Sequence, residues 1–263
     1  MILRPLLAFA ALLAAAPGER PVLDERFEQG GGAVARRLLR DPHLSIATGA
    51  GVGGGDALRA AYVGGAMGSE RIVHSIPLGE AGTDYTLSYD VRFDLGFPFV
   101  EGGKLHGLGP ERPVAGGNPI RPDGWSARVM WRAKGRAELY SYHQDQRDQY
   151  GDHGVVVAPA DFTPGRWQAV SLHVRLNDPA AAANGLVELF VDGRLVERQA
   201  AIRLRGDDVP HARISLFLFS TFHGGNAPEW APRDAQGGYA TVHALFDNIA
   251  VERGRHIRRT PDG

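Results

Sequence analysis

The sequence predicts an all-β fold, an antiparallel two-sheet sandwich or jelly roll. Three observations carry this expectation. Apolar and polar residues alternate in short runs rich in β-branched and aromatic types. The runs are separated by glycine, proline, asparagine and aspartate, with 35 glycines and 17 prolines in 263 residues. Helical periodicity is scarce, which leaves sheet-on-sheet packing as the way to bury a core.

The elements follow in order. "AVARRLLR" (33–40) is the best helical stretch, about two turns long. Strands are expected at Ser69–Pro77, Tyr85–Phe93 ("YTLSYDVRF"), Ser126–Arg132 and Ala137–His143. Four more are expected at Trp167–Leu176 ("WQAVSLHVRL"), Gly185–Val191, Arg213–Phe222 and Leu245–Val251. Each shows the period of two that places alternate side chains on opposite faces. "VDGR" (191–194) supplies an Asp-Gly hairpin turn after the sixth of these strands. No internal repeat or linker divides the chain.

The N-terminal "MILRPLLAFAALLAAAPGER" has Arg4, an apolar run from Leu6 to Leu13 and small residues through Ala16. That layout reads as a secretory signal peptide over 1–16, too short to span a membrane. The expectation is a single domain over 17–263, secreted or periplasmic after cleavage, and monomeric. A hydrophobic content of 43% suits a globular core, and a formal charge of −1 gives no signal for nucleic acid or a membrane surface. Cysteine is absent, which removes disulfides, thiolate metal sites and cysteine nucleophiles. Of 29 basic residues only Lys104 and Lys134 are lysine.

Several motifs lead nowhere. "GAGVGG" (49–54) matches a dinucleotide fingerprint but lacks the strand–turn–helix context, and reads as a loop. "HQDQRDQYGDHG" (143–154) gathers His143, Asp145, Asp148, Asp152 and His153 without a recognised ligand spacing. It reads as a solvated loop, with a structural calcium ion on the sandwich left open. No tight carboxylate pair or nucleophile elbow supports a hydrolase.

The stretch "SARVMWRAKGRAELYSYHQDQ" (126–146) is different. A three-residue loop at Ala133-Lys134-Gly135 pairs Arg128 with Tyr140 and Ser126 with Tyr142, so all four share one face. A two-residue loop would send Arg128 to the other face. Tyrosines at a wet strand edge are the bland reading of that face. The chemical reading is β-elimination on a uronic acid polymer. A cation on the sugar carboxylate stabilises the enolate-like intermediate, while a base removes the C5 proton and an acid protonates the departing C4 oxygen. A phenol can do either when nearby cations favour its phenolate. Arg128 supplies one such cation, and Lys104, in "EGGKLHGLG", a second.

"GGKLHGLG" (102–109), "GGNPIRPDGWSARVMWRAKGRAELYSY" (116–142), "LFLFSTFHGGNAPEWAP" (216–232) and "FDNIAV" resemble polysaccharide lyase family 14, which contains alginate lyases of jelly-roll fold and is related to the glucuronan lyases of family 20. The resemblance covers roughly residues 65 to 251. It implies that Lys104 contacts the substrate carboxylate, that Ser126 and Arg128 form the family's S-x-R pair, and that Tyr140 and Tyr142 carry the acid and base roles. It also places Ser220, Thr221, His223 and Trp230 near the cleft. His106 stands where the family has proline and His223 where it has an aromatic. Either is expected to bind sugar hydroxyls or to take over base duty. His74 and Arg71 fall on a strand beside the cleft, with His74 read as structural. The expectation is a lyase acting on alginate or another polyuronate, with no cofactor required. The alternatives are a lectin-like module that stacks sugars on Trp125 and Trp230, and a glycoside hydrolase using Glu101 and Glu138.

Overall fold

The structure, a computed structural model, describes residues 20–261. The expected leader over 1–16 lies outside the described residues. In chain order the first strands are β1 (Leu23–Glu25), β2 (Leu44–Ala47), β3 (Ala57–Gly65), β4 (Gly68–Ser69), β5 (Ile72–Gly82), β6 (Asp84–Phe93) and β7 (Gly102–Gly109). Then come β8 (Ser126–Arg132), β9 (Ala137–Tyr142), β10 (Asp152–His153), β11 (Val155–Val156) and β12 (Gln168–Arg175). The last are β13 (Gly185–Val191), β14 (Arg194–Ile202), β15 (Ile214–His223) and β16 (Thr241–Arg253). A short helix, α1 (Ala33–Leu38), occupies the one stretch with helical period.

The strands form two antiparallel sheets. One runs β11-β14-β13-β12-β6-β16-β3-β2, with β1 and β4 paired at its side; the other runs β10-β9-β8-β7-β15-β5. This is the expected jelly roll. Between the sheets lies one large core. Leu87, Tyr89, Val91, Val170, Leu172 and Phe246 come from the first sheet, and Leu105, Leu108, Val129, Trp131, Leu139, Phe217 and Phe219 from the second. Beyond the expected strands the structure adds β3, β7, β14 and the short strands β1, β2, β4, β10 and β11. "GGKLHGLG" hides a strand because four of its eight residues are glycine, which weakens any β signal.

Those glycines have steric reasons. A Cβ on Gly103 would lie 2.0 Å from the Trp131 ring, and one on Gly107 would lie 2.1 Å from the Ala127 carbonyl oxygen and 2.7 Å from Arg128 Cγ. Bare backbone here lets Trp131 fill the core and lets the Arg128 stem cross the outer face. At the β8–β9 turn, Lys134 (φ 65°) and Gly135 (φ 85°) are both left-handed, and the Arg132 amide donates to the Arg136 carbonyl at 2.8 Å. The loop is therefore Ala133–Gly135, and the ladder pairs Arg128 with Tyr140 and Ser126 with Tyr142. At "VDGR", Asp192 (φ 52°) and Gly193 (φ 78°) make the two-residue hairpin turn.

Two irregularities decide which residues of β7 and β15 reach the outer face. Along β7, Lys104 pairs with Met130 but Gly107 pairs with Arg128, so β7 carries one extra residue against β8. Leu105 and His106 both turn inward. His106 is fully buried, stacked on Phe219 with ring centroids 4.2 Å apart, and its Nδ1 bonds the Ser220 carbonyl at 3.1 Å. On β15, Phe222 faces outward opposite Lys104, so Thr221 and His223 face the core. Thr221 Oγ1 meets the Tyr62 hydroxyl at 2.5 Å. His223 stacks on Phe97 and donates from Nε2 to the Pro98 carbonyl at 2.9 Å. The expectation that His106, Thr221 and His223 touch the sugar is corrected: strand parity and the bulge place all three between the sheets. His74, at the sheet edge, bonds Asp41 at 2.9 Å and is structural in placement. "GAGVGG" is a loop with a short turn at Val52–Gly54.

Burial pushes His106 down to about 3 and His223 down to about 4. Neither titrates near neutral pH, which also removes them as bases. A histidine held neutral in the fold gains a proton when unfolded below about pH 6.5, so stability is full above that pH and falls as pH drops toward 4. We expect His223→Phe to flatten this slope in acid-denaturation curves, by up to about 3 kcal/mol between pH 6.5 and 4. Gly107→Ala is expected to cost roughly 1–3 kcal/mol in chemical denaturation, because its Cβ overlaps the β8 backbone.

Candidate functional site

The outer face of the second sheet carries a cleft of about 740 Å³. Five adjacent strands build its floor: Tyr140 and Tyr142 from β9, Arg128 and Met130 from β8, Lys104 from β7, Ser220 and Phe222 from β15, and Val73 from β5. Arg71, Arg132, His153, Tyr150 and Trp230 complete the walls with the loop glycines. No aspartate or glutamate lines the cleft.

The sequence-predicted set divides. Lys104, Arg128, Tyr140, Tyr142 and Trp230 all line the cleft. Ser126 shares their face, but it is fully buried and its hydroxyl donates to the Val114 carbonyl at 2.6 Å. Its expected contact with sugar is corrected: it ties the 112–124 loop to β8. Trp125 is buried, with Nε1 donating to the Ala212 carbonyl at 2.8 Å, so it offers no stacking platform. Glu101 is exposed in the turn before β7. Glu138 lies under Arg132 Nε (2.6 Å), Arg136 Nη2 (3.1 Å) and His153 Nδ1 (2.9 Å). Burial pulls that carboxyl up, but the His153 bond and the Arg132 charge prevail and hold it below its ordinary range. A carboxylate held this way is a poor proton donor, which weighs against the hydrolase alternative.

The centre of the cleft is cationic. Arg128 is buried, with Nη1 donating to Ser220 Oγ at 2.5 Å and Nε left without a protein partner. Burial pushes its guanidinium down to about 10, against the pull of the Tyr142 and Tyr140 oxygens. Lys104 Nζ sits 3.7 Å from the centroid of the Tyr140 ring and 3.1 Å from Met130 Sδ, with no carboxylate in contact. Burial, then the charges of Arg128 and Arg132, push its ammonium well below the usual lysine value. A cation held against a ring face and a thioether has lost its water without gaining an anion, and an incoming carboxylate restores the balance.

The two phenol oxygens lie 3.4 Å apart. Each accepts a backbone N–H from a separate loop: Gly117 donates to Tyr142 at 2.9 Å and Gly151 to Tyr140 at 3.0 Å. Gln149 Nε2 donates to the Gly117 carbonyl at 3.3 Å and links the loops. Burial, then the neighbouring Tyr142 hydroxyl, pushes the Tyr140 phenol above its ordinary value, with the Gly151 amide and Arg132 opposing. The expectation that cations lower this phenol is corrected for Tyr140: burial outweighs them.

Ser220 lines the cleft, as the resemblance implies; Met130 and Phe222, which the sequence reading does not name, sit two residues from Arg128 and Ser220 on strands already identified. The Gly117 and Gly151 amides had no sequence signal. The 143–154 segment is less solvated than expected, since His143 is buried and bonds Asp152 at 3.0 Å. Among the described residues no group of three or more His, Asp or Glu side chains is arranged to hold a metal ion. Among the same residues no helix is long and apolar enough to cross a membrane.

The fold is shared with known proteins. Alginate lyase Aly36B, solved as a mutant with an alginate trisaccharide, is 26% identical, with 76% of this chain and 82% of that chain covered and a TM-score of 0.64. The marine PL-14 alginate lyase from Aplysia kurodai is 22% identical over 89% of this chain and 99% of that one, with a TM-score of 0.67. The endo-β-1,4-glucuronan lyase from the fungus Trichoderma reesei shares the fold at 18% identity, 83% and 90% coverage and a TM-score of 0.56. No protein of curated function matches the sequence. The family model for polysaccharide lyase 14 matches residues 59–242, most of the folded chain, and the protein belongs to that family.

Proposed function

We propose that this polysaccharide lyase cleaves a uronic acid polymer, with alginate the first candidate, by β-elimination in the Lys104–Arg128–Tyr140–Tyr142 cleft. The observation that carries the reading is a cleft lined by Arg71, Lys104, Arg128 and Arg132, three phenols and, among the described residues, no carboxylate. An acidic polymer supplies the missing negative charge, and a neutral one would leave Lys104 and Arg128 uncompensated. The expected leader supports export to where such polymers lie. No cofactor enters the scheme.

In this reading the uronate carboxylate lies against Lys104 and the Arg128 guanidinium, which stabilise the negative charge that spreads onto it as C5 loses its proton. Tyr142 is the base: the Gly117 N–H fixes its oxygen 3.4 Å from that of Tyr140, on the same face as Arg128, where it takes the C5 proton. Tyr140, whose phenol is held protonated, is the acid that delivers a proton to the C4 oxygen as the C4–O bond breaks. The C5–H electron pair becomes the C4–C5 double bond, and no water is consumed.

One observation favours a second assignment. The depressed Lys104 ammonium would also suit a neutral amine that takes the C5 proton itself. Lys104→Arg separates the two, because arginine keeps the charge but cannot act as a base near neutral pH. If Lys104 neutralises the carboxylate, Lys104→Arg retains a measurable fraction of kcat while Lys104→Ala loses about 10²–10³-fold. If it is the base, both lose equally. Tyr140→Phe and Tyr142→Phe are each expected to lower kcat by about 10²–10⁴-fold in assays of unsaturated product. Wild-type protein that forms no unsaturated product from alginate, glucuronan or other polyuronates would overturn the proposal.

A further inference from the structure

The cleft extends well beyond the reacting groups. From β9 to β5 its floor spans four strand spacings, about 19 Å, enough for several sugar rings. The acid, the base and the carboxylate cations occupy the β7–β9 half. The β15–β5 half holds Arg71, Phe222, Asn226 and Trp230, which the elimination does not use.

Arg71 stands just before β5 with its guanidinium 4.7 Å from the centroid of the Phe222 ring. A single nitrogen, Nη2, donates both to the Gly225 carbonyl at 3.0 Å and to Asn226 Oδ1 at 3.1 Å. The stack and these bonds fix the plane of the guanidinium, and neither Nη1 nor Nε has a protein acceptor among the described residues. Nor has Arg71 an acidic partner there, unlike Arg132, which is occupied by Glu138. Gly225 lies flat on Trp230: a Cβ at Gly225 would come within 2.2 Å of the indole Cγ. A preorganised arginine edge beside an aromatic plate suits one ligand chemistry, a pyranose ring bearing a carboxylate.

We infer that Arg71, with Trp230, forms a second uronate-binding subsite, recognising the carboxylate of a sugar some units along the chain from the bond that is cleaved. This rests on the polyuronate reading of the cleft. Arg71 is then a specificity residue that touches none of the reacting groups. It makes the enzyme favour chains long enough to reach from Tyr140 to β5, with charge at both ends of that span.

The test compares wild type with Arg71→Gln and Arg71→Lys on a length series of polyuronate oligomers and on the polymer. Arg71 is exposed, so the variants should melt at the wild-type temperature. We expect Arg71→Gln to raise KM about tenfold on the polymer and long oligomers, with kcat within twofold of wild type and the shortest cleavable oligomers unaffected. Lys is expected to recover only part of the loss, since it lacks the planar fork. An equal loss at every length, or no loss at any, overturns the subsite. Calorimetric titration with the same polymer and with its carboxyl-reduced, neutral form gives a readout independent of turnover. The Gln variant should weaken binding of the charged form alone. A wild type that binds polyuronate through Arg71 yet makes no unsaturated product would sink the lyase reading and leave the subsite standing.

Discussion

A strand shows each face every second residue, and the site depends on how the second sheet breaks that rule at one place. β8 and β9, and β15 from Phe217 to His223, alternate, with mostly aromatic and aliphatic side chains inward and Arg128, Tyr140, Tyr142, Ser220 and Phe222 outward. β7 keeps Lys104 on the same outer face only because an extra residue is absorbed before Gly107. Without the bulge, either Lys104 would point into the core or Leu108 would point out of it. The missing Cβ at Gly107 then leaves room for the Arg128 stem, so one short glycine-rich segment positions both cations.

The electrostatics follow from that placement. Two cations, Lys104 and Arg128, are taken out of water on a face with no acidic neighbour in contact, and their pKa values fall accordingly. The Tyr140 ring, Met130 sulfur and Ser220 hydroxyl compensate only in part. Where a carboxylate does occur, at Glu138, it is turned to the service of Arg132, Arg136 and His153. Under the proposed mechanism a substrate carboxylate enters a site already arranged for it, and the same arrangement steadies the extra charge that develops when C5 is deprotonated. The loop amides of Gly117 and Gly151 hold the two phenol oxygens at fixed positions, so little reorganisation remains for the reaction step.

Much of this was legible in the sequence, and the failures have physical causes. The register of β8 with β9 was readable because loop length selects the turn, and the turn fixes which residues are opposite. β7 was not readable as a strand, because its glycines are chosen for close contact with Trp131 and Arg128, not for strand propensity. The bulge leaves no trace in composition, so His106 looked two residues from Lys104 and hence on its face. Thr221 and His223 are a different kind of error. With Ser220 on the cleft, period two alone puts both on the far side, whatever likeness "FSTFHGG" bears to the family.

The most direct measurement of the central claim is the fate of solvent oxygen during cleavage. Polyuronate is digested by the wild-type protein in water enriched in heavy oxygen, and the products are weighed by mass spectrometry. Elimination in the Tyr140–Tyr142 cleft predicts non-reducing ends that have lost the elements of water and carry a C4–C5 double bond, with no solvent oxygen added at the broken linkage. Products that instead gain one heavy oxygen per bond cut, with saturated ends, would contradict it.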